Sequence, residues 1–385
     1  MEVKVAGVST TKFGKHTDSS ARELFSEATL NALEDAEVAP QEVEGVYFGN
    51  FNGEFSEHQG HMGAMMSDYI GAREAESMRI DSACASSGVA FREAYKAVAG
   101  GFQDVAVAGG AETMFIMGTA KATDALAVAA DDKFEVQAGL TFPGLYALMA
   151  RAHMREYGTT REQLAEIAVK NHEFGYNNPY AQFHKKIDID DVLEARMIAT
   201  PLGLYDSCPI TDGASAVVIV SEEYARENGL EANVSVVGSG LASDSIALQD
   251  RDSLTYTPAT EIAAKKAYEQ AGVDVADVDV AEVHDCFTIA EVLALEALGF
   301  YAPGEGGYAA VEGETKLGGR IPVNTSGGLK AKGHPVGATG GAQIVDITEQ
   351  LRGEHPNQVD GAEIGLAHNA GGTVASAAVH ILRRD

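Results

Sequence analysis

Two stretches of the chain share one pattern, and this internal repeat constrains the fold more than any other feature. Residues 26–45 and residues 263–283 each contain an alanine-rich helical segment, a turn and a strand-like segment. The strand-to-helix turn around Cys84 also corresponds to the glycine-rich turn around His334 in the second half. A duplicated α/β unit predicts two similar sheets that stack and share helices. Matching loops would then meet at the pseudo-twofold axis.

The repeat divides the 385 residues into three predicted parts. Residues 1–115 form an N-terminal α/β half, which residues 200–235 complete with a buried strand. Residues 116–199 are richer in methionine, aromatic residues and histidine, and their helical segments cover about 141–157 and 161–176. We expect this part to be an inserted loop domain over the sheet core. Residues 236–385 form the C-terminal half.

The charge of the chain excludes one large class of partner. Asp and Glu number 57 against 28 Lys and Arg, which gives a formal net charge of -29. The carboxylates are spread along the whole length, whereas nucleic-acid binding needs clustered Lys and Arg. Dispersed carboxylates are typical of a high-salt cytoplasm, because counterions there screen the self-repulsion. The composition therefore predicts a halophilic protein that does not bind nucleic acid.

The cysteines and the hydropathy indicate the compartment. Cys84, Cys208 and Cys286 are the three cysteines, and an odd number without Cys-x-x-Cys spacing predicts neither a disulfide framework nor a metal site. Residues 1–7 form a short apolar strand with a lysine in it, unlike a signal peptide. No apolar run approaches transmembrane length. We expect a reduced, cytoplasmic, soluble protein.

Residues 324–340 hold five glycines, one histidine and almost no bulky side chain. Such a run cannot pack a core, but its backbone can approach a ligand closely. A flexible linker is the alternative. A linker, however, needs neither the Gly-His-Pro sequence that fixes the chain after His334 nor the helical pattern that follows it. The run therefore predicts a loop that presents one imidazole beside a ligand, and this requires a nucleophile elsewhere.

Cys84 is the candidate nucleophile, because it stands where a strand ends and a helix begins. Free N–H groups and the dipole at a helix N-terminus favour the thiolate, so we expect a lowered thiol pKa. Small neighbours at Ala83, Ala85 and Gly88 would let a substrate carbonyl reach the sulfur, and the local amides could donate to an oxyanion. A small buried cysteine that only packs is the alternative.

Five motifs together resemble the thiolase family. They are Ser82–Gly88, Gly109–Met114, Asp212–Ala214, His284–Phe287 and Gly333–Pro335. They occur in the order and at the spacing of that family and cover essentially the whole chain. The segments His284–Phe287 and His368–Gly372 are most similar to sterol-carrier-protein-type thiolases and archaeal acetoacetyl-CoA thiolases. Together with the acidic composition, this resemblance predicts a haloarchaeal protein.

The resemblance implies a duplicated five-layered αβαβα sandwich with a loop domain over the active site. It also implies an acyl-CoA:acetyl-CoA C-acyltransferase that condenses two acetyl-CoA to acetoacetyl-CoA and CoA, or runs the reverse thiolysis. Cys84 would form the acyl-enzyme, and His334 would take the thiol proton and later help to hold the thioester oxygen. A second acid/base would remove the α-proton of the incoming acetyl-CoA. No cofactor or metal is needed beyond the CoA thioesters.

The identity of the second acid/base is the point at which this chain departs from the family pattern. Typical members carry Asn-Glu-Ala-Phe at 284–287 and a Cys-x-Gly motif near the C-terminus, where this chain has His368 and no cysteine. By resemblance to the sterol-carrier type, we favour Cys286 as the acid/base, with His284 positioning the oxyanion water. His368 is the competing candidate, and His284 is a third. Cys286 as plain core and His284 as a packing histidine are the structural alternatives.

Substrate binding is assigned to the glycine-rich loop and its surroundings. The residues are Ser326, Gly327, Gly333, Lys330 and Ala370. A polyanionic CoA meeting so acidic a protein needs a local basic patch, to which Lys330 is a candidate contributor. The glycines would carry the pantetheine by backbone contacts. Glu112 is expected to brace the Gly109–Gly110 turn.

Several alternatives are open at this point. One is a degradative 3-ketoacyl-CoA thiolase of broader chain length, and another is a relative of ketoacyl or hydroxymethylglutaryl-CoA synthases. A third is a subunit that is active only with a partner, since archaeal thiolases assemble with hydroxymethylglutaryl-CoA synthase and a small OB-fold zinc-ribbon protein. The resemblance also implies a homodimer or a dimer of dimers. A nicotinamide dehydrogenase is disfavoured, because no GxGxxG follows the first strand.

Overall fold

The computed structural model describes all 385 residues. The strands are β1 (Val3–Thr10), β2 (Gly45–Gly49), β3 (Glu76–Ile80), β4 (Val105–Glu112), β5 (Met197–Ala199), β6 (Leu202–Gly203), β7 (Gly213–Ser221), β8 (Val234–Ser243), β9 (Val280–Glu282), β10 (Ile364–Gly371) and β11 (Ser376–Arg384). The helices are α1 (Ala21–Asp35), α2 (Gly53–Ser56), α3 (Met62–Tyr69), α4 (Ser86–Ala99), α5 (Gly118–Ala127), α6 (Phe142–Tyr157), α7 (Arg161–Asn177), α8 (Ile189–Glu194), α9 (Glu222–Asn228), α10 (Pro258–Ala271), α11 (Thr288–Ala297), α12 (Gly306–Val311), α13 (Gly328–Ala331) and α14 (Thr339–Arg352). None of these helices combines the length and apolarity that crossing a bilayer requires.

The large sheet repeats its topology on the two sides of its centre, as the internal repeat predicts. Nine strands lie in the order β3-β2-β4-β7-β1-β8-β11-β10-β9. Parallel pairs occur towards both edges, between β2 and its neighbours β3 and β4 and between β9 and β10. The halves join through β1 and β8, which pair only at Lys4–Ser235 and Val5–Val234. The two predicted sheets are therefore continuous along one short seam.

Helices cover both faces of each half and give the five predicted layers. The helix α1 packs on the outer face of the N-terminal half, and α10 packs on the outer face of the C-terminal half. Between the halves lie α4 and α14, and one apolar core there joins Val217, Ile344 and Leu382. The helix α14 is buried along nearly its whole length, as expected of a helix covered on all sides. The predicted αβαβα architecture is confirmed.

The segment between β4 and β7 forms no strand of the large sheet. The two predicted helices are α6, with Pro143 in its first turn, and α7, where Thr160 Oγ1 accepts the Gln163 N–H at 3.3 Å. Gly158 ends α6 in the left-handed region, at φ 78°. The apolar face of α6 shares a core with α11 and with Leu329. The insertion therefore covers the turn that follows β9.

Candidate active site

A strained turn presents Cys84. It connects β3 to α4, and Ala83 adopts a left-handed conformation with φ 50°, which is uncommon for a residue with a Cβ. Ser86 holds the turn from both sides, because its Oγ accepts the Ser82 N–H at 3.0 Å and donates to the Ala83 carbonyl at 2.6 Å. The backbone that carries Cys84 is therefore held in one conformation.

Two of the predicted histidines meet this cysteine. The Cys84 sulfur and one ring nitrogen each of His284 and His334 all lie within 4.8 Å of one another. The two rings are 5.0 Å apart between centroids and nearly perpendicular, at 83°. His284 follows β9 and His334 lies between α13 and α14, so the C-terminal half supplies both imidazoles and the N-terminal half supplies the sulfur.

Hydrogen bonds select the tautomer of His334. Its Nδ1 lies 2.6 Å from Thr339 Oγ1, and that hydroxyl donates to the Pro335 carbonyl at 2.9 Å. Because the hydroxyl proton is used there, the threonine oxygen accepts and we assign the proton to Nδ1. The backbone N–H of His334 donates to Thr211 Oγ1 at 3.0 Å. The remaining nitrogen, Nε2, is left with a free lone pair that can take the Cys84 proton.

His284 carries the opposite tautomer, and Asn369 imposes it. The Asn369 Nδ2 donates to His284 Nδ1 at 3.1 Å and to the Cys84 carbonyl at 3.0 Å, while its Oδ1 accepts the Gly88 N–H at 3.3 Å. The proton of His284 therefore lies on Nε2, and this buried group has no hydrogen-bond partner in the protein. A buried N–H without a partner is costly unless a ligand uses it, so His284 is suited to donate to an oxyanion.

The electrostatics favour a neutral site at rest. Burial raises the pKa of the Cys84 thiol, although the backbone N–H groups of Gly372 and of Cys84 itself act in the opposite direction. Burial also lowers the pKa of His334 to about 3 and the pKa of His284 well below its usual value. The expected lowering of the Cys84 pKa by the helix terminus is therefore wrong, because desolvation dominates. Thiolate and imidazolium would form only as a substrate is attacked.

Cys286 lies in an apolar pocket beside this cluster. It is 5% exposed and packs in the core beneath α6 with Met149, Ile289 and Leu329. Burial raises the pKa of its thiol to about 12, and the nearby Tyr146 hydroxyl acts in the opposite direction. Cys208 is next to it, since the Cys208 N–H donates to the Cys286 carbonyl at 2.9 Å. The second candidate acid/base is thus close to the first thiol but in drier surroundings.

His368 does not share the cluster. Its Nε2 hydrogen-bonds Thr260 Oγ1 of α10 at 3.0 Å, and its Nδ1 accepts the backbone N–H of His284 at 3.4 Å. Both ring nitrogens are therefore occupied on the side of β10 that faces α10. Side chains alternate along a strand, so the next residue, Asn369, faces Cys84 instead. The structure therefore does not favour His368 as the acid/base, because its ring lies on the opposite side of β10 from Cys84.

The predicted basic contact at Lys330 is also wrong. Lys330 is 1% exposed, and its ammonium contacts the Asp285 carbonyl and lies 3.3 Å from the Asp285 carboxylate. The same carboxylate accepts the Leu329 N–H at 2.8 Å and the Asn171 Nδ2 at 2.6 Å. The ammonium of this lysine forms a buried ion pair, which stabilises the turn that carries Cys286. It is therefore not available to bind a phosphate of CoA.

The other assigned binding residues are buried for packing reasons. Ser326 Oγ donates to the buried Glu282 carboxylate at 2.6 Å, and Ala370 belongs to the core beneath α10. A Cβ at Gly327 would come within 2.7 Å of the Gly175 Cα, and one at Gly333 within 2.8 Å of Thr211. Both glycines have positive φ, at 104° and 115°. The structure gives these residues roles in shaping the loop rather than in direct substrate contact.

Glu112 braces more than the turn predicted for it. Its carboxylate accepts four hydrogen bonds of 2.9–3.0 Å, from the Asn50 side chain and from the backbone of Phe51, Asn52 and Gly337. Burial raises its pKa to about 7. Since Gly337 follows His334 in the glycine-rich loop, this carboxylate ties the N-terminal half to that loop.

Sequence reasoning missed three residues of the site. Thr339 stands five positions after His334 at the start of a helix, which was a usable signal. Asn369 lies in the predicted His368–Gly372 motif, but this strand is buried on both faces, so its sequence does not show which side chain faces Cys84. Tyr146 of the insertion had no signal, because an aromatic residue at helical spacing is usually core.

Comparison with known proteins agrees with this geometry. The model described as "Thiolase, N-terminal domain" matches residues 3–223, and "Thiolase C-terminal domain-like" matches residues 240–384. The chain is 48% identical over 384 residues to an acetyl-CoA acetyltransferase of Methanothermobacter thermautotrophicus, covering 100% of both chains. It is 34% identical to sterol carrier protein 2 of Rattus norvegicus, covering 99% of this chain and 72% of that protein.

Solved structures give the same result. An Ltp2-ChsH2(DUF35) aldolase aligns with a TM-score of 0.86 at 27% identity, covering 100% of this chain and 98% of that chain. A monomeric SCP2-thiolase-like protein from Mycobacterium smegmatis shares the fold, with a TM-score of 0.77 at 19% identity and coverage of 100% and 78%. The resemblance predicted from five short motifs is confirmed along the whole length, and the chain belongs to the thiolase family.

Proposed function

We propose that this chain condenses two acetyl-CoA molecules to acetoacetyl-CoA and CoA, or runs the reverse thiolysis, through an acyl group on Cys84. The observation that carries the proposal is the convergence of the Cys84 sulfur with nitrogens of His284 and His334 within 4.8 Å. The 48% identity to the acetyl-CoA acetyltransferase of Methanothermobacter thermautotrophicus supports it.

In the first half-reaction the Cys84 sulfur attacks the thioester carbonyl while His334 Nε2 takes the thiol proton. A low imidazole pKa and a high thiol pKa disfavour a standing ion pair, so proton transfer accompanies attack. The backbone N–H groups of Gly372 and Cys84, which favour negative charge on the sulfur, are the donors that we propose for the oxygen of the acyl-enzyme. CoA leaves and takes a proton from Cys286.

In the second half-reaction the Cys286 thiolate removes a proton from the methyl carbon of acetyl-CoA. The C–H electron pair becomes the enolate, whose oxygen accepts the free N–H of His284. The enolate carbon then attacks the acyl-enzyme, the new carbon–carbon bond forms and the Cys84–acyl bond breaks. The proton on His334 returns to the Cys84 sulfur.

Mass spectrometry of the protein after incubation with acetyl-CoA tests the proposal. One acetyl group on Cys84 is expected, with none in the variant Cys84→Ala. Cys208→Ala is a matched control, because it removes a neighbouring buried thiol that has no proposed chemistry. Acetyl on Cys286, or on no cysteine, would overturn the assignment of the nucleophile.

A partner requirement is a second candidate. The structural neighbour Ltp2-ChsH2(DUF35) aldolase is named for two components, and the fold of the aligned chain matches this chain over its full length. We propose on this ground that an OB-fold zinc-ribbon protein, with hydroxymethylglutaryl-CoA synthase, assembles with this chain. Thiolysis by the purified chain at its full rate would contradict a requirement for either partner.

We propose further that two copies pair along β3. This strand is the outer edge of the sheet, with β2 as its sole neighbour, and Met78 at its centre is 42% exposed. An unpaired edge with an exposed apolar side chain favours strand pairing with another chain. Sedimentation of the wild type and of Met78→Lys tests it, with a dimer and a weakened dimer expected.

The acidic surface supports a halophilic, cytoplasmic protein. With 57 acidic and 28 basic residues, like-charge repulsion destabilises the fold at low ionic strength. The free energy of unfolding should therefore rise with KCl concentration. A fold that is most stable without salt would contradict this proposal.

A further inference from the structure

We propose that Glu291 is a positioning residue for His284. Its carboxylate forces the side chain of Asn324 into one orientation, and Asn324 in turn fixes the backbone that leads into His284. The inference rests on the role proposed for His284 as the donor to the enolate oxygen. Glu291 lies on α11 and is fully buried, at 0% exposure.

Asn324 joins the end of β9 to the start of the glycine-rich loop. It is buried and has a left-handed backbone, with φ 57°, a conformation that asparagine tolerates better than most residues. Its backbone N–H donates to the Ala281 carbonyl at 2.9 Å, and its side-chain Oδ1 accepts the Val283 N–H at 2.8 Å. Since Val283 directly precedes His284, the Asn324 side chain sets the path of the chain into His284.

Glu291 selects the orientation of the Asn324 amide. A side-chain amide can turn by 180°, which exchanges the places of its oxygen and its nitrogen. The Asn324 Nδ2 donates to Glu291 Oε2 at 2.9 Å, and an ionised carboxylate can only accept hydrogen bonds. The amide nitrogen must therefore face Glu291, which leaves Oδ1 for the Val283 N–H. A neutral amide at position 291 could pair with Asn324 in either orientation.

Lys170 of α7 compensates the buried charge of Glu291. Its ammonium lies 2.5 Å from Glu291 Oε1 and donates to the Val323 carbonyl at 3.0 Å, and neither side chain of the pair is more than 1% exposed. Apolar side chains of similar volume often stabilise a fold as well as a buried ion pair does. Docking of α7 alone would therefore not need the two charges, whereas setting the orientation of an amide needs an acceptor.

The residue on the other side of His284 is held through the same carboxylate. Asn171 of α7 donates from Nδ2 to Asp285 Oδ2 at 2.6 Å, and the same nitrogen lies 3.4 Å from Glu291 Oε2. The backbone of His284 itself is held less tightly, since its N–H reaches His368 Nδ1 at 3.4 Å. The precision with which the His284 ring presents its Nε2–H therefore depends on the two flanking residues.

Replacing the ion pair by apolar side chains tests the proposal. Glu291→Leu with Lys170→Met removes the acceptor of Asn324 without leaving a lone buried charge. Two quantities are measured: the rate of Cys84 acetylation and, on protein already acetylated, the exchange of acetyl-CoA methyl protons with D₂O. We expect exchange to fall about 10²-fold, because the oxyanion donor is misplaced. Acetylation should fall by less than about threefold, because His284 takes no part in the first half-reaction.

Glu291→Gln alone is a second variant, which keeps the shape of the side chain. The Asn324 amide can then adopt either orientation, so a fraction of the protein keeps the productive one. We expect a smaller fall in proton exchange, of about tenfold. This variant keeps the proposal testable if the apolar pair does not fold.

Glu166→Leu with Lys316→Met is the matched control. It makes the same two replacements in another ion pair of α7, whose charged atoms are 3.5 Å apart and which lies nearer the surface. Acetylation and exchange should both be unchanged. A double-mutant cycle completes the test: added to His284→Ala, the apolar pair at 170 and 291 should slow exchange by less than about twofold, because it acts through that imidazole.

The outcomes separate this inference from the proposed function. Exchange near the wild-type rate in the apolar pair would overturn the inference, and so would an equal loss of acetylation, because the ion pair would then merely hold the fold. A full further loss on the His284→Ala background would overturn it as well, because the pair would act elsewhere. Undiminished exchange in His284→Ala alone would remove the role of His284 and this inference with it. A wild type that acquires no acetyl group on Cys84 would contradict the thiolase reaction itself.

Discussion

Two strand-to-helix turns, one around Cys84 and one around Cys286, meet in the active site and are built differently. The Cys84 turn consists of small residues and is partly exposed. It faces two imidazoles, each with one ring nitrogen that has no hydrogen-bond partner in the protein. In the second turn, Cys286 is 5% exposed and packs against apolar side chains. The buried ion pair of Asp285 and Lys330 holds this turn in place. Burial raises the pKa of both thiols.

The difference shows what each environment is suited to. A thiol that must change its covalent partner needs access, oxyanion donors and a base within reach, and the Cys84 turn supplies all three. A thiol that must change only its proton can work in a dry site. Under the proposed mechanism, the surroundings of the two thiols therefore divide the same side-chain chemistry between two half-reactions.

The largest effect should come from removing the second thiol. In Cys286→Ser the hydroxyl is far less acidic than a thiol, so condensation should fall about 10³-fold. Cys84 acetylation should fall much less than condensation, because the first turn is untouched and Cys286 serves that half-reaction only by giving a proton to the departing CoA. Rates of acetoacetyl-CoA formation, compared with rates of acetylation, measure the two half-reactions separately.

Cys208→Ser provides the matched control for that variant. Cys208 lies across from Cys286, its N–H bonded to the Cys286 carbonyl, and it has no proposed role. Its replacement should leave both rates unchanged. If Cys286→Ser condensed at the wild-type rate instead, Cys286 would not be the acid/base and His284 would become the candidate. The surroundings of Cys286 would then have no role in proton transfer.

The ion pair beneath the Cys286 turn predicts the next effect, on stability. Lys330→Met removes the cation and leaves the Asp285 carboxylate buried with its N–H donors alone. An uncompensated buried charge should lower the free energy of unfolding by about 3 kcal/mol. Urea denaturation measures this, and adding Asp285→Asn should restore most of the loss.

Lys96→Met is the control for charge removal as such. Lys96 pairs with Glu93 at 2.7 Å on the surface of α4, the helix that follows the Cys84 turn. Exposed pairs contribute little, so the change should stay within about 0.5 kcal/mol. Equal losses in the two variants would mean that the Asp285–Lys330 pair is no more important than a surface pair.

Much of the site could be predicted from local sequence, and the misses have identifiable causes. Cys84 and His334 were predicted from a turn of small residues and from Gly-His-Pro, and His284 from the resemblance to the thiolase family; the structure brings the three together. Lys330 looked like a free cation because its partner, Asp285, is 45 residues earlier in the chain. The choice between His368 and Asn369 depends on which face of β10 meets α4, and a strand pattern buried on both faces does not encode that.

The fold could be predicted from the sequence to a similar extent as the site. The repeat of residues 26–45 in 263–283 gave the duplicated layers, since each copy encodes its own helix and strand. The seam between β1 and β8 was not predictable, because it rests on two residue pairs that distant strands form. The pKa of Cys84 was misjudged because a helix terminus is visible in sequence, whereas the depth of burial that outweighs it is not.

The smallest effect concerns the residues that support the Cys84 turn. A neutral histidine supports this turn, whereas an ion pair supports the Cys286 turn. His380 of β11 donates from Nε2 to the Gly88 carbonyl at 3.0 Å, and its ring meets Phe91 of α4 edge-on at 4.9 Å. Burial lowers the pKa of His380 to about 3, from about 6.5. The helix behind the nucleophile is therefore held by a group that must stay uncharged.

This arrangement predicts a pH-dependent difference between the wild type and His380→Gln, which keeps a donor and an acceptor but cannot titrate. Above pH 6.5 the folded and unfolded states hold the same protons at His380, so it adds no pH dependence. Below pH 6.5 the unfolded chain gains a proton that the folded protein takes up only near pH 3, so the wild type loses stability through His380 as pH falls, and the variant lacks this contribution. At pH 5 this contribution amounts to about 2 kcal/mol.

Urea unfolding of both proteins at pH 7 and pH 5 measures this difference. The free energy of unfolding of the variant, relative to that of the wild type, should rise by that amount between pH 7 and pH 5. A difference that is the same at both pH values would mean that His380 is charged in the folded protein, and the Cys84 turn would then rest on a charged group as the Cys286 turn does.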